Sequence, residues 1–302
     1  MEHDPAIDWS HLHPSAQPAA LLPDRERWQR IRADRWIGYP RALAALDRLE
    51  TLLAWPSKQR MPNVLLVGPT NNGKSMIVER FRRRHLPASE ADRERTPVLY
   101  VQMPSDPSVL RFYVAVLAAL GAPLPSRRRL AEVERLALSL LRQVEVRVLV
   151  IDELHNILAG TGNGRREFLN LLRFLGNELR IPLVGVGTRE AYLAVRSDDQ
   201  LENRFEPMIL PLWEESDETC SLLASFAASF PLRRRSSIAS PDMARYLLAR
   251  SEGTIGEWVR WLTAAAIAAV ATGEEAINSR TLARAEYAGP SERRRLFERE
   301  LR

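Results

Sequence analysis

The chain has 302 residues, 45% of them hydrophobic and 27% charged, a balance that suits a globular protein with one large core, or one core and a satellite domain. Its single cysteine, Cys220, excludes an intrachain disulfide and a cysteine-based metal cluster; no apolar run nears the ~20 residues that a bilayer demands, and the acidic start MEHDPAID carries no secretion signal. A net charge of +5 permits a polyanionic partner without requiring one, so a soluble, cytoplasmic protein with no membrane partner is expected.

Residues 1–35 are expected to form an N-terminal arm, partly disordered. The first 23 hold Pro5, Pro14, Pro18 and Pro23 and little periodicity. His11 and His13 have no third ligand beside them, which argues against a metal there. From Asp24 to Leu53 apolar residues recur at helical spacing, most clearly in RALAALDRLETLL. Pro56, Ser57 and Pro62 then break the pattern.

Short apolar runs next alternate with amphipathic segments. Strands are predicted at 64–68, 98–102, 146–152, 182–187 and 207–212, and helices at 74–85, 107–120, 129–143, 153–158 with 165–179, and 188–196. Such alternation predicts an α/β fold, a parallel five-stranded sheet flanked by helices. From Glu214 onward only helical patterns remain, which predicts a small all-α domain. The expected divisions are the arm at 1–35, the α/β domain at 36–213, the all-α domain at 214–290 and a basic tail at 291–302.

The first strand runs into Gly68-Pro69-Thr70-Asn71-Asn72-Gly73-Lys74-Ser75, which fits the phosphate-loop pattern G-x-x-x-x-G-K-[ST]. Glycines let the backbone curl so that its N–H groups point at phosphates beside a helix N-terminus, which includes Met76. Lys74 is expected to reach the β and γ phosphates of ATP and the Ser75 hydroxyl to bind Mg²⁺. A chance match in a chain of this length is on the order of one in a hundred. The 43 basic residues include only two lysines, Lys58 and Lys74. A compact ammonium is therefore retained where a planar guanidinium would not enter the loop.

Val148-Leu149-Val150-Ile151-Asp152-Glu153 is an apolar strand ending in two acids, the Walker B form. Asp152 can hold the Mg²⁺ hydration shell, and Glu153 can polarise the attacking water, which argues for hydrolysis rather than storage. The string Asp-Glu-Leu-His also matches the D-E-x-H box of one helicase superfamily. Those enzymes need a second α/β domain, which the all-helical remainder cannot supply. His155 is therefore expected to hydrogen-bond or pack locally beneath the site. Thr188, ending the PLVGVG run, could orient water or the γ-phosphate, or cap the following helix. Trp36 and Tyr39 flank the first helix and could pack on the adenine base, or serve core or interdomain packing.

This order of parts resembles the AAA+ ATPase fold over about residues 36 to 290. Within it, IDELHNILAG, RREFLNLLRFLGNELRIPLVGVGTREA and LENRFEP look like the TniB family of transposition ATPases, relatives of the TnsC and MuB target-selection proteins. The resemblance implies that Thr188 is the polar residue on the strand beside Walker B. It implies that Arg204, with Arg196 in reserve, is an arginine finger given to a neighbouring subunit, and that residues 214–290 are a helical lid. It further implies ATP and Mg²⁺ as cofactors, assembly as a homo-oligomeric ring or filament on duplex DNA regardless of sequence, and recruitment or stimulation of a DDE transposase. Gly256 stands where AAA+ lids usually carry a sensor-2 arginine, with Glu257 and Arg260 after it. Arg111 and Arg127-Arg128-Arg129 are the candidate phosphate contacts to DNA; the runs at Arg82–Arg84, Arg233–Arg235 and Arg293–Arg295 read as solvated surface. Two other readings of the chain are a replication initiator or helicase loader and a nucleotide-dependent signalling scaffold that does not bind DNA.

Overall fold

The computed structural model describes residues 8–90, 93–124 and 129–301. It divides into two units, residues 40–211 and the combination of residues 1–39 with 212–302.

The 40–211 unit is built on one parallel sheet. Its strands are β1 (Asn63–Val67), β4 (Val98–Gln102), β5 (Val148–Asp152), β6 (Leu183–Gly187) and β7 (Phe205–Ile209), in the order β4-β5-β6-β1-β7. Every residue of β1, β5 and β6 is buried. Strands covered on both faces need unbroken apolar runs, and those runs are what the sequence displays. The register pairs Leu65 with Gly185 and Val150 with Val184. A Cβ on Gly185 would lie 2.6 Å from the Leu154 and 2.8 Å from the Leu65 side-chain methyls, which would have to shift.

Helices α3 (Pro40–Ala54), α4 (Lys74–Arg84), α5 (Val109–Ala119), α6 (Leu130–Gln143), α7 (Gly162–Leu179) and α8 (Arg189–Arg196) accompany the sheet, with a 3₁₀ turn at Leu154–Ala159. Phe112, Tyr113, Phe168 and Leu175 are fully buried in the core against Leu99 and Leu149. Two features go beyond the sequence reading: a hairpin of β2 (Ala88–Glu90) and β3 (Arg93–Arg95), and a short helix α9 (Asp199–Glu202). The hairpin, Ala-Ser-Glu paired with Arg-Glu-Arg, has no apolar alternation to reveal it. Helix α7 begins three residues earlier than expected because the Thr161 hydroxyl caps the Gly164 amide.

The second unit is helical: α1 (Gln17–Ala20), α2 (Asp24–Arg32), α10 (Asp217–Ser229), α11 (Pro241–Ser251), α12 (Ile255–Ala271), α13 (Ser279–Arg284) and α14 (Pro290–Glu300). The expected arm is corrected over its described part. Arg27 of α2 is fully buried and donates to both carboxylate oxygens of Glu275 and to the Pro231 carbonyl at 2.9 and 3.2 Å. Arg35 is half-buried over the Phe230 ring, 4.1 Å from its centroid, and desolvation pushes its pKa down to about 10. The divisions at 213/214 and 290/291 shift as well. The helical unit begins at Leu212 and keeps α14, which is tied down by Arg293 donating to Glu257 at 2.9 and 2.8 Å. Arg293 is therefore not solvated surface. Trp258 and Trp261 fill the centre of this unit, their indole N–H groups donating to Ser251 Oγ and the Leu282 carbonyl. Among the described residues no helix is long and apolar enough to cross a membrane.

Candidate nucleotide-binding site

The phosphate loop leaves β1 at Val67 and enters α4 at Lys74. Its curvature comes from two left-handed residues, Asn71 (φ 61°) and Gly73 (φ 87°), which turn successive N–H groups to one side. Gly68 is fixed by contact, because a Cβ there would stand 2.5 Å from the Leu210 carbonyl oxygen. Its amide donates to Gly187 at 3.2 Å, so the loop is stitched to the end of β6. Asn72, expected among the nucleotide contacts, is buried and donates to the carbonyls of Leu210 and Pro211 at 3.0 and 2.8 Å. It anchors the loop to the segment after β7. Thr70, Ser75 and Met76 are exposed, and Pro69 is half-buried.

The Lys74 ammonium turns into the loop and donates to the Gly68 and Pro69 carbonyls at 2.7 Å each. Burial pushes its pKa down, and the carboxylates of Asp152 and Glu153 oppose that shift. A strand separates these acids from the loop, since β6 lies between β1 and β5. The carboxyl ends of β1, β6 and β5 therefore stand side by side, carrying the phosphate loop, Thr188 and Asp152-Glu153. Crevices at that edge are where open α/β sheets bind ligands.

Asp152 is 4% exposed. Its two oxygens accept the Glu153 amide and the Tyr100 hydroxyl, both at 2.8 Å. Burial, then the bond to Asp152, raises the Tyr100 pKa, so Tyr100 remains a donor. Glu153 leaves the strand in the left-handed region (φ 56°) and stays accessible, with His155 Nε2 3.1 Å from its Oε2. Thr188 occupies the N-cap position of α8 without capping it; its hydroxyl donates to Glu190 instead. A cleft of about 600 Å³, lined by Gly68, Thr70, Thr188, Tyr192 and Ile209, adjoins the loop. A loop turned by left-handed Asn71 and Gly73, an ammonium folded into it and a buried carboxylate nearby fit a nucleoside triphosphate with a divalent cation. Asp152 and Ser75 are the residues whose oxygens would hold such a cation.

Arg204 precedes β7 at the amino end of the sheet, where its carbonyl accepts the Asn63 amide at 3.1 Å and its guanidinium donates to Asn177 at 2.9 Å. β7 runs parallel to β1, so Arg204 and its own phosphate loop lie at opposite ends of the strands. Arg196 pairs with Glu202 at 3.3 Å. Trp36 and Tyr39 belong to the helical unit, where Tyr39 is buried edge-on to Trp213. In the same unit Gly256 opens α12, Glu257 is engaged by Arg293, and Arg260 is exposed. Arg111 is exposed and paired with Asp106 at 2.8 Å. Arg129 is exposed at the start of α6, whereas Arg127 and Arg128 lie outside the described residues. Tyr100, Asn72 as an anchor, and Glu190 are additions of the structure. Their partners are distant in sequence or lack a motif, so no spacing announces them.

The model of the bacterial TniB protein family matches residues 27–215, well over half of the chain. The chain belongs to the TniB family. No curated protein matches this TniB chain. Among solved structures it is similar to the Aeropyrum pernix ORC1 protein in complex with DNA, with a TM-score of 0.61 at 20% identity, over 88% of this chain and 70% of that one. The A. pernix ORC2 protein in ADPNP–ADP complexes gives 0.58 at 18% identity, over 85% and 71% of the two chains. Cdc6p from Pyrobaculum aerophilum gives 0.58 at 18% identity, over 85% and 68%. At such identities the likeness shows the fold alone, and that fold is the AAA+ ATPase fold.

Proposed function

We propose that this TniB-family protein is an ATP-dependent, DNA-binding regulator of transposition that assembles as a ring or filament on duplex DNA and recruits or stimulates a separate transposase. The observation that carries the nucleotide chemistry is the alignment of Lys74, Thr188 and Asp152-Glu153 at the ends of three adjacent strands. Bound ATP with Mg²⁺ supplies the terminal phosphoryl group for transfer to water. With these bound, Lys74 would turn from the Gly68 and Pro69 carbonyls to the phosphates, Ser75 and Asp152 would hold the cation, and Glu153 would accept a proton from water. Thr188 orients that water once it leaves Glu190. Arg204, facing away from its own loop, serves the site of a neighbouring copy, which makes turnover depend on assembly.

Family membership supports the transposition reading. The positive net charge and the exposed Arg129 support backbone contact with DNA, which is independent of base sequence and weakens steeply with salt. The test is electron microscopy with duplex DNA in ATP, a slowly hydrolysed analogue or ADP, with Lys74→Ala alongside. Nucleotide-dependent rings or filaments that Lys74→Ala abolishes are expected. DNA binding that stimulates a helicase and no transposase would turn the reading to a replication loader. Particles indifferent to DNA in every nucleotide state would turn it to a signalling scaffold.

A further inference from the structure

We propose that His155 is a positioning residue for Glu153, holding the water-activating carboxylate in the orientation that hydrolysis needs. The inference rests on the hydrolytic reading of the site and names a residue that the phosphate-loop and Walker B patterns do not contain.

Glu153 is the first residue past β5, and its left-handed backbone turns its side chain off the strand axis. An exposed glutamate on such a turn has free rotamers, and a general base needs one of them. His155, in the 3₁₀ turn, restricts that freedom: its Nε2 stands 3.1 Å from Glu153 Oε2. The other face of the ring fixes which nitrogen carries the hydrogen. Nδ1 is buried and has no hydrogen-bond partner among the described residues. It lies against Gly187, where a Cβ would come within 3.5 Å of it and within 2.6 Å of Ala191. A buried N–H without an acceptor is costly, whereas a bare ring nitrogen costs less. The hydrogen therefore belongs on Nε2, the nitrogen that faces Glu153. One carboxylate oxygen is thereby set against the ring, and Oε1 is left for water.

The experiment uses the full chain with duplex DNA and measures ATP turnover and binding of a fluorescent ATP analogue for wild type, Lys74→Ala, Glu153→Gln, His155→Ala, His155→Gln and the Glu153→Gln/His155→Ala pair. His155→Ala is expected to lower kcat roughly tenfold with binding affinity changed less than about twofold. His155→Gln, which keeps a donor, is expected to recover part of that loss. The double variant is expected to be no slower than Glu153→Gln, because a residue acting only through Glu153 has nothing left to orient. Imidazole ¹⁵N–¹H spectra are expected to show His155 protonated on Nε2 alone, with its signals moved by Glu153→Gln. Wild-type turnover in His155→Ala, a further loss in the double variant, or a hydrogen on Nδ1 would overturn the proposal while leaving the ATPase reading intact. Failure of the wild type itself to turn over ATP, with Lys74→Ala indistinguishable from it, would overturn the hydrolytic reading and this proposal with it.

Discussion

Tyr100 donates its hydroxyl to Asp152 at 2.8 Å from the neighbouring strand, so the acid proposed to hold the cation is itself held by a side chain outside every nucleotide-binding motif. Removing that hydroxyl leaves a buried carboxylate short of one donor. Tyr100→Phe is expected to cost about 1–3 kcal/mol of stability, read by urea denaturation. It should also raise several-fold the Mg²⁺ concentration needed for half-maximal nucleotide binding. Unchanged stability and unchanged Mg²⁺ dependence would remove Tyr100 from the site.

Arg204 stands beyond the amino end of a five-residue strand, roughly 17 Å of extended chain from the carboxyl edge. An arginine side chain does not span that distance. Arg204→Ala is expected to bind ATP as the wild type does and to lose roughly a hundredfold or more in turnover. Mixing it with Lys74→Ala is expected to restore part of the activity, since one variant keeps the loop and the other the arginine. Inactivity of the mixture at concentrations where wild type assembles would argue against a role in trans.

Arg27 is fully buried with Glu275, whose side chain is 12% exposed. Arg27→Ala leaves that carboxylate without its cation and is expected to cost about 3–5 kcal/mol. Arg27→Lys is expected to rescue little, because one ammonium cannot serve both carboxylate oxygens and the Pro231 carbonyl in the fork geometry of a guanidinium. Thermal denaturation of the three proteins is the measurement. A chain lacking residues 1–35 should be similarly destabilised; full stability after that truncation would show the segment to be dispensable.

The Arg293 guanidinium holds the Glu257 carboxyl below the ordinary glutamate range; burial opposes the shift and the Tyr287 hydroxyl assists it. A depressed folded-state pKa means that the unfolded chain binds more protons as the medium acidifies. This stability is therefore present above the ordinary glutamate value and is lost as pH falls through the folded value. Arg293→Ala is expected to cost about 1–2 kcal/mol at neutral pH and to flatten the stability–pH curve on the acid side. Denaturation midpoints between pH 3 and 7 would show it, and parallel curves for the two proteins would count against the pair.

The five sheet strands were legible because three are buried along their whole length, which writes each as an uninterrupted apolar run. Their order was not, since no local window says that β6 enters between β1 and β5. The arm misled for a similar reason. Its prolines and weak periodicity read as an arm, yet Arg27 finds its partner 248 residues away, a pairing without local periodicity. At the site, Gly68, Lys74 and Asp152 were visible because phosphate recognition needs contiguous residues. Tyr100 reaches Asp152 from another strand, so its contact emerges only once the backbone is placed, whereas His155 was expected to bond or pack locally and stands against Glu153, two residues before it. Asn72 sits inside the motif, and its actual use, bracing the loop, depends on where the chain returns after β7.

The helical unit is assembled from both ends of the chain, while residues 40–211 are continuous. During synthesis the α/β unit can therefore close as soon as its last strand emerges. Helix α2 has by then been waiting, and Arg27 must wait for Glu275, roughly 12–50 s behind it at ordinary ribosome speed. Only in the last part of that interval, after Pro211 has emerged, does the nascent chain carry both a finished phosphate loop and an unpaired α2. Whatever shelters α2 on the ribosome acts before the second unit exists.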